Sequence, residues 1–280
     1  MSIYASTPTE TVLAENGVSY AYRRQGKAAT RPLVLFQHFR GNLDNWDPAL
    51  IDALSNDREV ITFDNVGVGA TSGRTPSTIA EMAQDALTFI DALELEEIDL
   101  LGFSIGGFIA QEVALTRPDL LHRLVLASTA PQGAPGMHGW VRDIIDAVGS
   151  RQTTGPGFLH AFFRDTPTSH QAGVEYLLRF SERAVNRDTA TGWQTRNAHY
   201  DAVLNWGVPN TALLERLTAI GIPVFVANGD SDRMILPRYS HLLAGLIGDA
   251  EIKIYPDSAH GFLFQHHDEF AADVHSFLDA

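Results

Sequence analysis

Val18 to Gln25 alternates between apolar and polar positions and stops at Gly26, which predicts an early strand. Leu33 to Gln37 is a short apolar run entered through Pro32, as expected of a buried strand, and Glu59 to Phe63 is a further candidate. Ile79 to Leu93 changes period: apolar residues fall at helical spacing behind Thr78, a capping residue, with Glu81 and Asp85 in the early turns. Ile98 to Phe103 then predicts a strand running into Ser104. Gly107 to Leu115 predicts a buried helix, stopped by Arg117-Pro118. Arg123 to Ser128, Pro223 to Asn228 and Ala250 to Tyr255 supply three more strands. Strands alternating with helices imply an α/β fold, with a mostly parallel sheet of about eight strands covered by helices on both faces.

The alternation is interrupted. Residues 131–209 hold Trp140, Phe158, Phe162, Tyr176, Trp193 and Trp206 among other aromatics, but show no parallel-strand pattern. They read as a helical lid inserted into a core made of residues 1–130 and 210–280. The lid is entered by the turn-rich Pro131-Gln132-Gly133-Ala134-Pro135-Gly136, a flexible entry, and left through Gly207-Val208-Pro209-Asn210.

Composition narrows the function classes. The 280 residues carry 34 acidic against 20 basic side chains, a formal charge of −14. Such a surface repels phosphate backbones and anionic lipid, so nucleic acid and membranes are not expected partners and a small molecule is. No stretch approaches the about 18 consecutive apolar residues of a membrane span, and a cytoplasmic location is the expectation. The chain has no cysteine, which removes disulfides, thiolate metal sites and a thiol nucleophile together.

Three segments carry chemistry. Gly102-Phe103-Ser104-Ile105-Gly106-Gly107 has the Gly-x-Ser-x-Gly spacing of a nucleophile elbow, in which glycines allow a sharp strand-to-helix turn that exposes the serine hydroxyl. The plainer reading is a glycine-rich turn with Ser104 as a helix cap. A serine needs a base to take its proton, and His260 stands just beyond the last predicted strand, in Asp257-Ser258-Ala259-His260-Gly261. The imidazole needs a carboxylate to hold its tautomer. Asp230 and Asp232 both follow the apolar strand ending at Asn228, where either also suits a turn or a helix cap. His266-His267-Asp268 reads as the solvated start of a C-terminal helix rather than a metal site, because adjacent side chains diverge on a helix.

Together these segments resemble the α/β-hydrolase superfamily, in its lid-bearing branch of small serine esterases, cofactor-free haloperoxidases and C–C bond hydrolases. The chain order Ser104, Asp232, His260 is that family's order of nucleophile, acid and base. Its Gly-x-x-Asp element matches Gly229-Asp230-Ser231-Asp232, which favours Asp232 over Asp230. Phe63-Asp64-Asn65-Val66-Gly67-Val68-Gly69 looks like the strand and turn before the family's first sheet-covering helix, in which Asp64 is not catalytic.

The resemblance implies two backbone amides for the oxyanion. Ile105 supplies the first. The second follows a His-Gly pair in the family, whereas this chain reads Gln37-His38-Phe39-Arg40-Gly41; alignment on Trp46 gives the amide of Phe39, and alignment on the histidine gives Arg40. His38, Arg40 and Trp140 are then candidate substrate contacts, Arg40 for a carboxylate-bearing substrate or else in a surface salt bridge. The resemblance implies hydrolysis of a small or medium carboxylic ester or lactone through an acyl-enzyme, with no cofactor and no metal. A perhydrolase or C–C bond hydrolase would use the same three residues, and a receptor that keeps the pocket without turnover is the reading from another class.

Overall fold

The computed structural model describes residues 2–28, 31–137 and 139–280; position 138 of the expected lid lies outside them. Eight strands form one sheet: β1 (Glu10–Leu13), β2 (Ser19–Gln25), β3 (Leu33–Phe36), β4 (Val60–Phe63), β5 (Ile98–Phe103), β6 (Leu121–Ala127), β7 (Val224–Gly229) and β8 (Ala250–Tyr255). Their spatial order is β1-β2-β4-β3-β5-β6-β7-β8. Only the β1–β2 and β2–β4 pairs are antiparallel. This is the α/β-hydrolase fold expected from the sequence.

The helices are α1 (Pro48–Leu54), α2 (Ile79–Ala92), α3 (Ile105–Thr116), α4 (Arg142–Val148), α5 (Gly155–Phe162), α6 (Pro167–Phe180), α7 (Trp193–Trp206), α8 (Thr211–Glu215), α9 (Pro237–Leu246), α10 (Phe262–Gln265) and α11 (His267–Leu278). Local chemistry sets several of their starts. The Thr78 side chain accepts from the Glu81 amide at α2, and Asp47 accepts from the Ala49 amide with Pro48 in the first turn of α1. Every residue of β3, β4 and β5 is buried, as expected of central strands covered on both faces. Helix α3 is apolar nearly all round and lies against β5, while α1 packs on α11 and α2 on α3.

The structure departs from the sequence pattern in three places. Strand β1, mostly exposed, is an edge strand whose pairing with β2 leaves no hydrophobic alternation to read. Helix α3 begins at Ile105 rather than Gly107, so the two glycines form its first turn. The glycine-rich entry at 131–136 is not a free hinge. The Gly133 amide donates to the Trp206 carbonyl at 3.0 Å, and the Asn210 amide donates to the Gly133 carbonyl at 3.0 Å, so entry and exit are stapled together. Gly133 has φ 78°, and a Cβ there would stand 2.3 Å from the Asn210 oxygen.

Helices α4 to α7 fall between β6 and β7 and are tied to the sheet domain by buried charges. Arg179 grips the fully buried Asp47 with two hydrogen bonds, 2.8 and 2.7 Å. Asp44 pairs with Arg23 at 2.5 Å and accepts from the Asp188 amide at 2.7 Å. Beside it, burial and then the Asp188 carboxylate hold the carboxyl of Asp64 well above the usual range.

A raised carboxyl pKa favours the folded state at low pH, and that contribution is lost as pH rises through the raised value. Asp188→Asn removes the neighbouring charge. We expect the melting temperature of the wild type to fall more between pH 5 and pH 8 than that of the variant, with the variant gaining ~2–4 °C at pH 8, the effect of about 1 kcal/mol. Parallel melting profiles would show that Asp188 does not act on Asp64.

Candidate active site

Ser104 connects β5 to α3 with φ 58° and ψ −119°, a backbone conformation few residues with a side chain adopt. The surroundings enforce it. The Ser104 amide donates to the Ala127 carbonyl at 2.9 Å, and its carbonyl accepts from the Thr129 hydroxyl at 2.9 Å. On the helix side Gly106 lies so close to β3 that a Cβ there would sit 2.2 Å from the Phe36 carbonyl oxygen.

Beyond β8 the loop carrying His260 is fixed at several points. The Ser128 hydroxyl lies 3.0 Å from the His260 carbonyl, and the Gly261 amide donates to the Phe162 carbonyl of the inserted helices at 2.9 Å. The imidazole then bridges residues beyond two strand ends: Nδ1 is 2.7 Å from Asp232 Oδ2 and Nε2 is 2.9 Å from Ser104 Oγ. Asp232 is oriented in turn by the amides of Met234 and Ile235, which donate to Oδ1 at 2.8 and 2.9 Å. Ser104, His260 and Asp232 are all almost completely buried. Asp230 does not reach the imidazole. Its carboxylate accepts from the Asp257 and Ser258 amides at 3.0 and 3.4 Å, so it braces the loop that bears His260.

The two candidate amides after β3 differ in their partners. The Arg40 amide donates to His199 Nδ1 of α7 at 3.0 Å, which commits it to the protein. Burial, reinforced by the Arg40 charge, pushes His199 down to about 3, so its ring is neutral and free to accept. The Phe39 amide donates to no protein group among the described residues. Ile105 is the first residue of α3, where helical amides lack an intrahelical acceptor. Among the described residues the Phe39 and Ile105 amides are therefore left without a protein acceptor, whereas that of Arg40 is not.

Two expected substrate contacts lie elsewhere. The guanidinium of Arg40 is buried and donates to the carbonyls of Val148, at 3.1 Å, Ser150, at 2.7 Å, and Arg151. It clamps the end of α4 and forms neither a surface salt bridge nor a carboxylate receptor. Trp140 is set edge-on behind Phe39, with ring centroids 5.1 Å apart, and is not among the residues lining the cavity over Ser104. Both assignments depended on contacts with the insertion, which the local sequence does not encode. His38 does line that cavity.

The cavity is narrow, and beside Ser104, His260, His38 and Phe39 it is lined by Val148, Thr153, Phe158, Phe162 and Met234. Sequence reasoning missed Met234, two residues after the Asp232 it follows, and also His199, which leaves no local signal. His38 and Phe39 also border a more polar vestibule with Asn42, Gln152, Arg187 and Thr191.

Comparison with known proteins follows the same lines. The model of the alpha/beta hydrolase fold family matches residues 31–267. Among solved structures, an alpha/beta hydrolase fold protein from Chitinophaga pinensis superposes with a TM-score of 0.93 at 39% identity, over 99% of this chain and 99% of that one. A poly(3-hydroxyalkanoate) depolymerase from Ectopseudomonas oleovorans is 29% identical over 91% of this chain and 87% of its own length. A non-heme chloroperoxidase from Streptomyces lividans is 25% identical over 96% and 99%.

Gly106→Ala tests the packing that sets the turn. A methyl group cannot fit against the Phe36 carbonyl without moving β3 or α3, so we expect a loss of about 1–3 kcal/mol or more, read as a fall of at least ~3 °C in melting temperature. An unchanged melting temperature would mean that α3 does not press on β3 as described.

Proposed function

We propose that this chain, which belongs to the alpha/beta hydrolase fold family, is a serine hydrolase that cleaves a small or medium carboxylic ester or lactone through an acyl-enzyme on Ser104. The observation that carries the proposal is the unbroken hydrogen-bonded chain Asp232–His260–Ser104, at 2.7 and 2.9 Å. Asp232 holds Nδ1 of His260 as the proton-bearing nitrogen, which leaves the Nε2 lone pair to take the Ser104 proton as Oγ attacks the carbonyl carbon. Phe39 and Ile105 donate their amides to the oxyanion. His260 then returns its proton to the departing alkoxide, and an alcohol leaves. A water molecule repeats the cycle: it gives its proton to His260, its oxygen attacks the acyl carbon, and Ser104 departs with the proton regained as the acid is released.

Residues 131–209 act in this proposal as a cap. It supplies Val148, Thr153, Phe158 and Phe162 to the cavity, an apolar lining suited to a short acyl chain. A perhydrolase would use the same three residues, and the likeness to a non-heme chloroperoxidase favours including that reaction in any assay. The free Phe39 amide speaks against a receptor without turnover, since an anion site remains available despite the altered sequence around His38.

A fluorophosphonate probe should label Ser104, as found by peptide mapping, and Ser104→Ala should abolish both labelling and hydrolysis of p-nitrophenyl butyrate. Turnover that survives in Ser104→Ala would overturn the assignment. Tight ligand binding without turnover would favour the receptor, and peracid formation with hydrogen peroxide the perhydrolase.

The two aspartates should separate in kinetics. Asp232→Asn is expected to lower kcat by about 10⁴-fold. Asp230→Asn should mainly lower the melting temperature, because Asp230 holds backbone amides and not the imidazole. Burial pushes both His38 and His199 down to about 3, so neither gains a proton between pH 5 and pH 8. The acid limb of log kcat/KM against pH should therefore have a slope of one, with no contribution from His38 or His199. A slope of two, or a larger kcat loss at position 230, would contradict this arrangement.

A further inference from the structure

His38 takes the place of a glycine in the pattern this chain otherwise follows, and the proton transfers above make no use of it. Its ring is almost fully buried and lines the cavity over Ser104. It stands edge-on to Phe103 and Phe162, with centroids 5.4 and 5.3 Å away, and these two rings also flank His260. His38 Nδ1 lies 3.0 Å from the Phe39 carbonyl oxygen. A carbonyl can only accept, so Nδ1 carries the hydrogen and Nε2 carries a lone pair. That Nε2 is buried and has no partner among the described residues.

A buried acceptor without a donor is a standing cost that a ligand can remove. Burial pushes the ring down to about 3, so it remains an acceptor at neutral pH and does not protonate to satisfy itself. The other walls of the cavity are mostly apolar, with the charge of Arg40 near the ring, so a cationic donor would be costly to bring there. A neutral hydroxyl fits. Because His38 and Ser104 line the same cavity, the part of the substrate that reaches the ring is the acyl group held on Ser104.

We propose that His38 is a specificity-determining residue whose Nε2 accepts a hydrogen bond from a hydroxyl on the acyl chain, so that the preferred substrates are esters of short hydroxy acids. The proposal rests on the acyl-enzyme reading given above and narrows its substrate class. A bound water at Nε2 is the competing source of the same hydroxyl donor, and it would leave the enzyme indifferent to the acyl substituent.

The test uses three matched esters, p-nitrophenyl 3-hydroxybutyrate, 3-methoxybutyrate and butyrate, each rate corrected for the ester's own hydroxide-catalysed hydrolysis. The methoxy group keeps the oxygen but cannot donate. The wild type should favour the hydroxy over the methoxy ester by about tenfold or more in kcat/KM. The readout is a ratio within one enzyme, so any general damage to the segment after β3 cancels. In His38→Leu the ratio should fall to near one, while His38→Gln, whose amide oxygen still accepts, should keep part of it. A wild-type ratio near one, or the same ratio in His38→Leu as in the wild type, overturns the proposal, and the first of these needs no variant to fold. Butyrate hydrolysis that depends on Ser104 together with a flat ratio removes only the role of His38. Butyrate hydrolysis unchanged in Ser104→Ala removes the acyl-enzyme reading and this inference together.

Discussion

The close approach of the first turn of α3 to the Phe36 carbonyl is the constraint on which the rest of the site depends. It leaves room only for glycine at position 106, pins the helix against β3, and obliges Ser104 to turn with positive φ. A relaxed strand-to-helix connection would carry the hydroxyl elsewhere and break its 2.9 Å contact with His260. The backbone strain at one residue is thus sustained by packing spread over β3, β5 and α3, where nearly every side chain is buried. The same stretch, extended past Phe36, delivers the Phe39 amide, so one strand end positions both the turn and the anion site.

A second layer of organisation comes from buried and half-buried arginines. Arg40, Arg179 and Arg183 each use a planar, multiply donating group to join the sheet domain to the helices between β6 and β7. Arg179 meets a carboxylate, whereas Arg40 and Arg183 meet main-chain carbonyls. Arg40 makes two links to the inserted helices: its backbone amide is held by His199 of α7, and its side chain holds the end of α4. Movement of the inserted helices would therefore reach the Phe39 amide through Arg40 as well as through the rings of Trp140 and His199 packed on Phe39.

Much of this was legible in the sequence, for a physical reason. Ser104 directly follows β5, Asp232 and His260 stand in the loops just past β7 and β8, and in a parallel sheet successive strand ends share one edge, so local signals place them together. The glycine spacing around Ser104 records a steric requirement at the same position that imposes it. What could not be read were pairings made across the insertion. Arg40 looked like a substrate contact because its neighbours in sequence say nothing of carbonyls more than a hundred residues later, and the choice between the Phe39 and Arg40 amides depends on His199 in α7. Trp140 likewise packs on Phe39, a partner that no helical or strand period predicts. Strand β1 escaped notice because an exposed edge strand has no buried face to print a pattern.

The stapled ends of the insertion have an evolutionary corollary. Gly133 and Asn210 meet across one hydrogen bond, so the sheet domain presents two adjacent sockets through which some eighty residues are looped out and back. Lineages could trade that excursion for another of different length without cutting the sheet, and so acquire a new ceiling over an inherited catalytic floor. The limit on such trading is set below the sockets: Asp47 and Arg40, buried and shaped to their present partners, would be left as orphaned charges under any replacement that failed to answer them.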